Sequence, residues 1–179
     1  MTSAAERSAV GTALGSYEQA REWIGRRSET RQTDVAVDES RCKLFAALSE
    51  DGNPAYWDRQ WASAQFGAPL APSGLTMSLI MPLPWKPGSG SASPPSLAVE
   101  IPLPGQTFIN VDTDCEFLRP IRWGDHFSVY EEIVDVGPGK TTRLGRGHFA
   151  ATCMNLLDAQ GLLVARLTNV LYRYEAASA

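Results

Sequence analysis

The clearest pattern along the chain is an alternation of polar and less polar side chains in its second half. From Ile109 to Phe117 every second residue is Ile, Val, Thr, Cys or Phe, and the residues between them are polar or acidic. A period of two is typical of a β-strand with one face in water. Further extended segments are predicted at about 126–136, 141–157 and 163–174, with glycine-containing turns between them. The second half therefore predicts an antiparallel meander.

The first half of the chain has helical spacing instead. Residues 16–24 lack helix breakers, and Asp38 is the predicted N-cap of a one-sided apolar helix that ends at Asp51 and Gly52. Pro54 suits the first turn of the next helix. A short β-branched run at 33–37 predicts a strand.

One helix is distinctive because it is apolar on nearly all sides. It is predicted over residues 73–81 with Ser73 as its N-cap, and a helix of that composition belongs in a core. The pattern predicts an α+β architecture in which a curved antiparallel sheet wraps this central helix. We expect one domain over 16–175, a flexible N-terminus over 1–15 and an irregular Gly/Ser/Pro loop over 86–96.

Composition narrows the classes of function. The chain has 179 residues, a net charge of −4 and 44% hydrophobic residues, which is enough apolar material for a core. No cluster of lysine and arginine is available to bind phosphates. Nucleic acid and anionic membranes are therefore not expected as partners. The longest apolar stretch, at 75–83, is too short to cross a bilayer.

The cysteines indicate a reducing compartment. Cys42, Cys115 and Cys153 are widely spaced and form no CxxC pair, so neither a disulfide framework nor a zinc site is predicted. No other cofactor is expected. The N-terminus has no apolar stretch of signal-peptide length. These features predict a cytoplasmic protein.

The first candidate site is the turn after the Asp38 helix. Asn53 and Pro54 enforce a turn that brings Tyr56 back towards Asp51, so two polar side chains face one small volume. The alternative is that Asp51, Gly52 and Asn53 are turn formers that bond their own backbone. Composition alone favours that alternative.

The second candidate site is the start of the central helix, at Ser73 and Gly74. The first turn of a helix has amide groups without intrahelical partners and a partial positive charge. Gly74 would let a ligand approach this backbone closely, and a thioester carbonyl bound there would be polarised for attack at its β-carbon. The alternative is an ordinary serine cap over a buried helix.

Three motifs together resemble one family. They are the SED-x-NP turn, the P-x-x-P-S-G helix start and an F-x-R-P-I-x-x-G-D turn at 117–125. The sequence from about Val35 to Tyr174 is similar to the MaoC-like hot-dog hydratases and dehydratases, which include the (R)-specific enoyl-CoA hydratases. The resemblance implies a hot-dog fold, in which a curved antiparallel sheet wraps a long central helix. It also implies acyl thioesters of coenzyme A or a carrier protein as substrates, and a second hot-dog subunit as partner.

The catalytic pair implied by the resemblance is incomplete here. Active members have an aspartate and, five positions later, a histidine that together activate water. Asp51 matches the aspartate, but Tyr56 stands at the histidine position. A phenol with an ordinary pKa near 10 is a poor base at neutral pH. The resemblance makes Asp51 and Tyr56 the catalytic candidates. The substrate-binding candidates are Asn53, Ser73, Gly74 and Leu75.

Several functions stay open at this point. The leading hypothesis is the substrate-binding subunit of a hydratase or dehydratase whose partner supplies the complete aspartate–histidine pair. The alternatives are a self-sufficient homodimer that uses Asp51 and Tyr56, a non-catalytic acyl-binding module, and a hot-dog thioesterase. His126 and His148 are not expected to reach the site. The basic residues Arg119, Arg122 and Lys140 are interpreted as solvated turn residues rather than ligands of coenzyme A phosphates.

Overall fold

A computed structural model describes residues 11–83, 85–88 and 96–176. One antiparallel sheet of six strands dominates it, in the order β1-β3-β5-β6-β2, with β4 paired to β5. The predicted antiparallel sheet is confirmed, but it is not a simple meander, because β2 pairs with β6 at the far edge and not with β3, the next strand in the chain. The strands are β1 (Arg31–Gln32), β2 (Thr107–Phe117), β3 (Ser128–Val136), β4 (Lys140–Thr142), β5 (Gly145–Leu157) and β6 (Leu163–Ala176).

The helices lie almost entirely in the first half, as expected. The Asp38 side chain accepts a hydrogen bond from the Arg41 amide and caps α2, and Pro54 stands in the first turn of α3. No helix of the described residues has the length and apolar character that a bilayer crossing requires. The helices are α1 (Tyr17–Arg21), α2 (Glu39–Leu48), α3 (Pro54–Trp57), α4 (Arg59–Phe66) and α5 (Thr76–Ile80), with 3-10 turns at Ser73–Leu75 and Leu97–Val99.

The central helix is present but shorter than predicted. It starts as the 3-10 turn Ser73–Leu75 and continues as α5, so it is about two turns long. Ser73 is not its cap, because Pro72 occupies the N-cap position and no side chain caps the helix. Met81 is already extended, since the residue before a proline avoids the helical region.

This helix packs on the inner face of the sheet. Leu75, Leu79 and Ile80 are each less than 5% exposed and belong to a core cluster with Leu156 and Leu167 of the sheet. A second cluster lies beside it on the sheet and is covered by α1 and the segment after residue 96. The hot-dog arrangement of sheet and helix is thereby confirmed, with α+β content.

The last residues of the predicted flexible N-terminus pack against the sheet, while residues 1–10 lie outside the described part, and its flexibility stays a prediction. Thr12 and Ala13 are buried, and the Ala13 amide donates to the Val99 carbonyl. The buried Arg173 guanidinium donates to the carbonyls of Ala13, Ile101 and Gly105. Burial lowers the pKa of Arg173 to about 10. These bonds hold residues 11–15 against the sheet, which composition did not indicate.

The predicted loop at 86–96 is anchored at both ends, and residues 89–95 lie outside the described part. Lys86 pairs with Asp34. At the other end, the buried Glu131 carboxylate accepts 2.6 Å hydrogen bonds from the Ser96 hydroxyl and the Leu97 amide. The single domain over 16–175 stays a prediction.

At one edge of the sheet, β3 is covered by a segment in which only the two residues of β1 form a regular strand. The strand predicted at 33–37 is wrong, because regular pairing with β3 is confined to β1. Residues before and after β1 nevertheless bond the main chain of β3. Gly25 and Ser28 donate to the carbonyls of Ile133 and Glu131, and Thr33 donates to that of Phe127.

The other edge is β2, and here the predicted dry face is wrong. All of its residues are exposed, because β2 pairs only with β6 among the described residues. A bulge at Val111 also breaks the alternation: Ile109 is opposite Tyr172, whereas Cys115 is opposite Leu167. Since residues opposite each other share a face, Ile109 lies on the outer face and Cys115 on the inner face.

Candidate functional site

Three chain segments meet at the start of the central helix. The Leu70 amide donates to the Ala55 carbonyl of α3 at 3.0 Å. The Ala71 amide donates to the Ile121 carbonyl at 2.8 Å, and the Trp123 amide donates to the Pro69 carbonyl at 3.0 Å. These bonds tie α3, the helix start and the turn after β2 into one unit. Each segment carries one of the three motifs that the sequence analysis identified.

A cavity of about 350 Å³ lies between these segments. It brings together Tyr56 and Ser73, two of the predicted site residues. Its volume is within the range of small-molecule sites. Its described lining consists of Tyr56, Leu70, Ala71, Ser73 and residues 117–121.

The turn from Asp51 to Tyr56 satisfies most of its own polar groups. Asp51 Oδ1 accepts from the Asn53 amide and Asn53 Oδ1 accepts from the Ala55 amide, each at 3.0 Å. The Trp57 indole donates to the Asp51 carbonyl at 2.7 Å. The interpretation of Asp51 and Asn53 as turn formers is therefore confirmed. Asp51 Oδ2 takes no part in these bonds, and Asp51 is half-buried.

Tyr56 is held as a neutral phenol. Burial raises its pKa, and the nearby Asp51 carboxylate raises it further, while the Asn53 side chain opposes the shift. Both larger effects disfavour the phenolate. At neutral pH the hydroxyl is therefore a hydrogen-bond donor and not a base.

The remaining helix-start candidates have different surroundings. Leu75 is buried in the core cluster and is not among the described residues that line the cavity, and its assignment to substrate binding stays a prediction. A Cβ at Gly74 would lie 2.9 Å from Cζ of Phe45 on α2. The glycine is thus needed for helix packing, whatever its amide binds. The Leu75 amide bonds the Pro72 carbonyl, so the amides of Ser73 and Gly74 precede the first intrahelical bond.

Arg119 is a cavity residue that the sequence analysis interpreted as solvated. Its guanidinium is half-buried, pairs with Asp125 at 2.8 Å and lies 3.7 Å from Asp158. Asp125 also accepts from the Arg122 amide at 2.9 Å. The signal was present in the F-x-R-P-I-x-x-G-D motif, because its arginine and its final aspartate form this pair.

Neither histidine is among the described residues that line the cavity. His126 is exposed and precedes β3. His148 is buried on β5, where its ring stacks on Tyr17 at 5.1 Å and its Nδ1 contacts the Gly137 carbonyl. The described cavity therefore contains a phenol, a hydroxyl and an ion-paired guanidinium, without an imidazole.

The cavity adjoins the exposed edge of the sheet. Phe117 is the last residue of β2, and Leu118 follows it; both line the cavity and both are exposed. Any chain that pairs with β2 would therefore end beside Tyr56 and Ser73. The two predicted site segments, at Tyr56 and at Ser73, thus meet beside the exposed edge strand β2.

Comparisons with known proteins agree with this architecture. The chain is 28% identical over 149 residues to a probable enoyl-CoA hydratase alpha subunit of Thermomonospora curvata, which covers 80% of this chain and 47% of that protein. The chain thus spans about half the length of this curated relative.

Two solved structures share the fold. One is the ChsH1-ChsH2 complex from Mycobacterium tuberculosis, with a TM-score of 0.70, 19% identity and 91% of each chain covered. The other is a MaoC-like dehydratase from Rhodospirillum rubrum, with a TM-score of 0.58, 22% identity, and 87% and 94% of the two chains covered.

A family model described as the FAS1-like dehydratase domain region matches residues 22–167. That match contains the turn with Asp51 and Tyr56, the central helix, the strands β1 to β5 and the start of β6, while α1 and most of β6 lie outside it. The protein belongs to the FAS1-like dehydratase domain region family.

Proposed function

We propose that this chain is the substrate-binding subunit of an enoyl-thioester hydratase or 3-hydroxyacyl-thioester dehydratase. Its substrate would be an acyl thioester of coenzyme A or a carrier protein. A second hot-dog subunit would supply the aspartate–histidine pair. The observation that carries this proposal is Tyr56, a neutral phenol at the cavity where water activation requires a base.

The start of the central helix is suited to hold the thioester carbonyl. Addition of water to a trans-2-enoyl thioester moves negative charge onto that carbonyl oxygen. Amides that precede the first intrahelical bond, at Ser73 and Gly74, are donors for such charge. The Ser73 hydroxyl and the Tyr56 phenol add donors on the cavity wall.

The missing base is expected from the partner, because the cavity adjoins the open edge. The residues of β2 are exposed on both faces, and its last residue lines the cavity. A long exposed edge strand is a surface that proteins normally pair or cover. The structure with the highest TM-score given above is itself a complex of two different subunits. We extend that arrangement to this chain, in a cytoplasmic setting.

The test is hydration of crotonyl-CoA and of a longer enoyl-CoA by the purified chain and by the complex isolated from the native host. The chain alone should show little turnover, and the complex should be active. Full activity of the isolated chain would refute the proposal. Saturable acyl-CoA binding by the chain alone distinguishes a substrate-binding subunit from a purely structural one.

A self-sufficient enzyme is the second candidate, and one observation favours it. The Asp51 charge is close enough to Tyr56 to raise the pKa of the phenol, so a carboxylate and an acid occur in one turn. Asp51 would then be the base and Tyr56 the donor, in a homodimer. Asp51→Asn separates the two proposals. It should abolish turnover in a self-sufficient enzyme and leave most of it in a complex whose partner holds the catalytic pair.

A further inference from the structure

A second cavity, of about 370 Å³, lies at the opposite end of the central helix from Ser73. Arg31 of β1 is one of its wall residues, and Arg31 Nη2 donates to the carbonyl of Ile80, the last residue of α5. The described lining of this cavity has no residue in common with that of the cavity at Tyr56. Its volume is within the range of small-molecule sites and would hold about twelve water-sized groups.

Apolar side chains from both core clusters contribute to the wall of this cavity. Val129 and Met154 belong to the cluster under the central helix, and Leu97 packs against the second cluster. Glu131 is opposite Met154 in the sheet and is 6% exposed, so a carboxylate is buried among these side chains. The described wall therefore suits a mainly apolar ligand with a small number of polar atoms.

The polar groups of Glu131 already have partners. Its carboxylate accepts from the Ser96 hydroxyl and the Leu97 amide, each at 2.6 Å, and its own amide donates to Ser28 Oγ at 2.9 Å. The Ser28 hydroxyl in turn donates to the Glu29 carbonyl at 3.1 Å. A ligand is therefore not required to satisfy this side of the cavity.

Arg31 is different, because one of its donors has no acceptor. Its Nη1 is shielded from solvent and bonds no group among the described residues. A buried donor without an acceptor carries the full cost of its lost hydration. In the described part of the chain Nη2 anchors the guanidinium, so rotation about that bond would bring Nη1 to an oxygen in the cavity. The unmet requirement at this cavity is thus a hydrogen-bond acceptor.

Charge decides what kind of acceptor fits. Three carboxylates and one guanidinium line the cavity, those of Glu29, Glu100, Glu131 and Arg31, so its formal charge is −2. A ligand carboxylate or phosphate would meet a surplus of like charge. An ammonium group would add a second cation beside Arg31 and offer it no acceptor. A carbonyl or hydroxyl oxygen on a neutral group accepts from Nη1 without either cost.

We propose that this cavity binds a neutral, mainly apolar group of about a dozen non-hydrogen atoms that carries a ketone or alcohol oxygen. Arg31 Nη1 donates to that oxygen, which makes Arg31 a specificity residue that selects a neutral acceptor over an anion. The group is either a free molecule or the far end of the acyl chain of a thioester held at Ser73. The two sources share this chemistry, and the site itself does not depend on the proposed reaction.

The probe for the site is 2-decanone, a neutral ketone, and its anionic counterpart is decanoate. Isothermal titration calorimetry of the whole chain at pH 7.5 should show saturable binding of 2-decanone, at least about tenfold tighter than that of decanoate. Arg31→Met keeps a long apolar side chain and removes the donor. It should weaken 2-decanone binding by about tenfold or more, the ordinary effect of losing a hydrogen bond to a charged group.

The matched control is Arg27→Met, which removes an exposed arginine of the same segment outside the described lining and should leave the dissociation constant unchanged. Leu97→Trp fills the cavity and should weaken 2-decanone binding at least about fivefold. Leu118→Trp enlarges a side chain in the other cavity and should not weaken it. Circular dichroism shows that each variant is folded, and Leu97→Trp tests the site if Arg31→Met does not fold.

Displacement distinguishes the two sources of the group. If the acyl chain supplies it, tetradecanoyl-CoA should displace 2-decanone and butyryl-CoA should not. If a free molecule supplies it, both thioesters should bind alongside the ketone. Displacement by butyryl-CoA would place the ketone in the cavity at Tyr56 and would overturn the inference.

Three further results would each overturn it. They are no saturable binding of 2-decanone, equal affinity of the wild-type and a folded Arg31→Met chain, and decanoate binding as tight as that of the ketone. An inactive native complex would refute the proposed reaction and leave these binding results unaffected.

Discussion

The two edges of the sheet differ in how the outer main-chain groups of their strands are paired. At one edge an irregular segment lies beside β3: Gly25 and Ser28 donate to carbonyls of β3, and Thr33 donates to the Phe127 carbonyl just before it. At the other edge the eleven residues of β2 are all exposed, and no described strand lies beyond them. The regular strand β2 thus has no described strand beyond it, whereas the main chain at the other edge is paired by an irregular segment.

The difference shows that a strand can be regular and still leave the main-chain groups on its outer side unpaired, whereas an irregular segment can pair such groups. Unpaired main-chain groups on an edge attract another strand. Short irregular segments satisfy those groups without presenting a new edge, which is what residues 25–33 do. The closed edge therefore contributes to the stability of the chain itself, and the proposed function gives the open edge a role in assembly. The candidate cavity adjoins the open edge through Phe117.

The largest expected effect comes from placing a general base in the cavity beside the open edge. Tyr56→His places an imidazole at the cavity, beside Asp51. If base supply is what the chain lacks, hydration of crotonyl-CoA by the isolated chain should rise 100-fold or more over wild type, the ordinary gain from a general base. A continuous absorbance assay of the enoyl thioester measures it.

The matched control for this gain is the double variant Tyr56→His/Asp51→Asn. It should lose the new activity, because the imidazole then has no carboxylate beside it. A folded Tyr56→His chain that binds crotonyl-CoA and still does not turn it over would mean that the partner supplies more than a base.

The closed edge should be the one that matters for folding. Glu131 on β3 is buried, and its carboxylate accepts from Ser96 and Leu97. Glu131→Gln weakens two charge-assisted bonds and should lower the free energy of unfolding by about 2 kcal/mol. Asp114→Asn on the open edge should change it by less than about 0.5 kcal/mol. Urea denaturation of both variants measures the contrast, and equal effects would contradict the division between the edges.

The helix start beside the cavity should tolerate a methyl group poorly. In Gly74→Ala the new Cβ meets the Phe45 ring at 2.9 Å, so the ring must move. We expect a loss of about 1 kcal/mol in unfolding free energy. The control is Gly52→Ala, where nothing lies within 4 Å and no positive φ is required. Its effect should be near zero or slightly stabilising. A double variant with Phe45→Leu should recover part of the loss.

The smallest expected effect is that of the surface ion pairs at the two edges. Arg27 pairs with Glu132 at 3.0 Å near the closed edge, and Arg166 pairs with Glu116 at 3.1 Å near the open one. Both arginines are exposed, although Glu132 is partly buried, so Arg27→Gln and Arg166→Gln should each cost less than about 1 kcal/mol and less still in high salt. Thermal denaturation at two salt concentrations measures both. A larger loss for Arg166→Gln would mean that β2 stabilises the isolated chain.

The sequence alone determined the four long strands, the Asp38 cap, the Pro54 helix start and the three motifs, because each depends on residues close together in the chain, whereas the strand at 33–37 and the Ser73 cap were predicted wrongly. The alternation of β2, the Asp38 cap and the Pro54 helix start are local signals, and in natural proteins the local preferences usually agree with the folded structure. The family resemblance rested on motifs of the same kind. Asp51, Asn53 and Tyr56 were recognised from one turn.

Only the tertiary structure decided which faces are covered and which groups meet. The alternation of β2 does not reveal its bulge, nor that the residues on its inner face are exposed. Leu75 and Ser73 are two residues apart, but one lies in the core and the other lines the cavity. Arg119 reaches the cavity because Asp125 and the turn after β2 hold it there. Burial and strand pairing are set by contacts between residues distant in sequence, and no local pattern specifies those contacts.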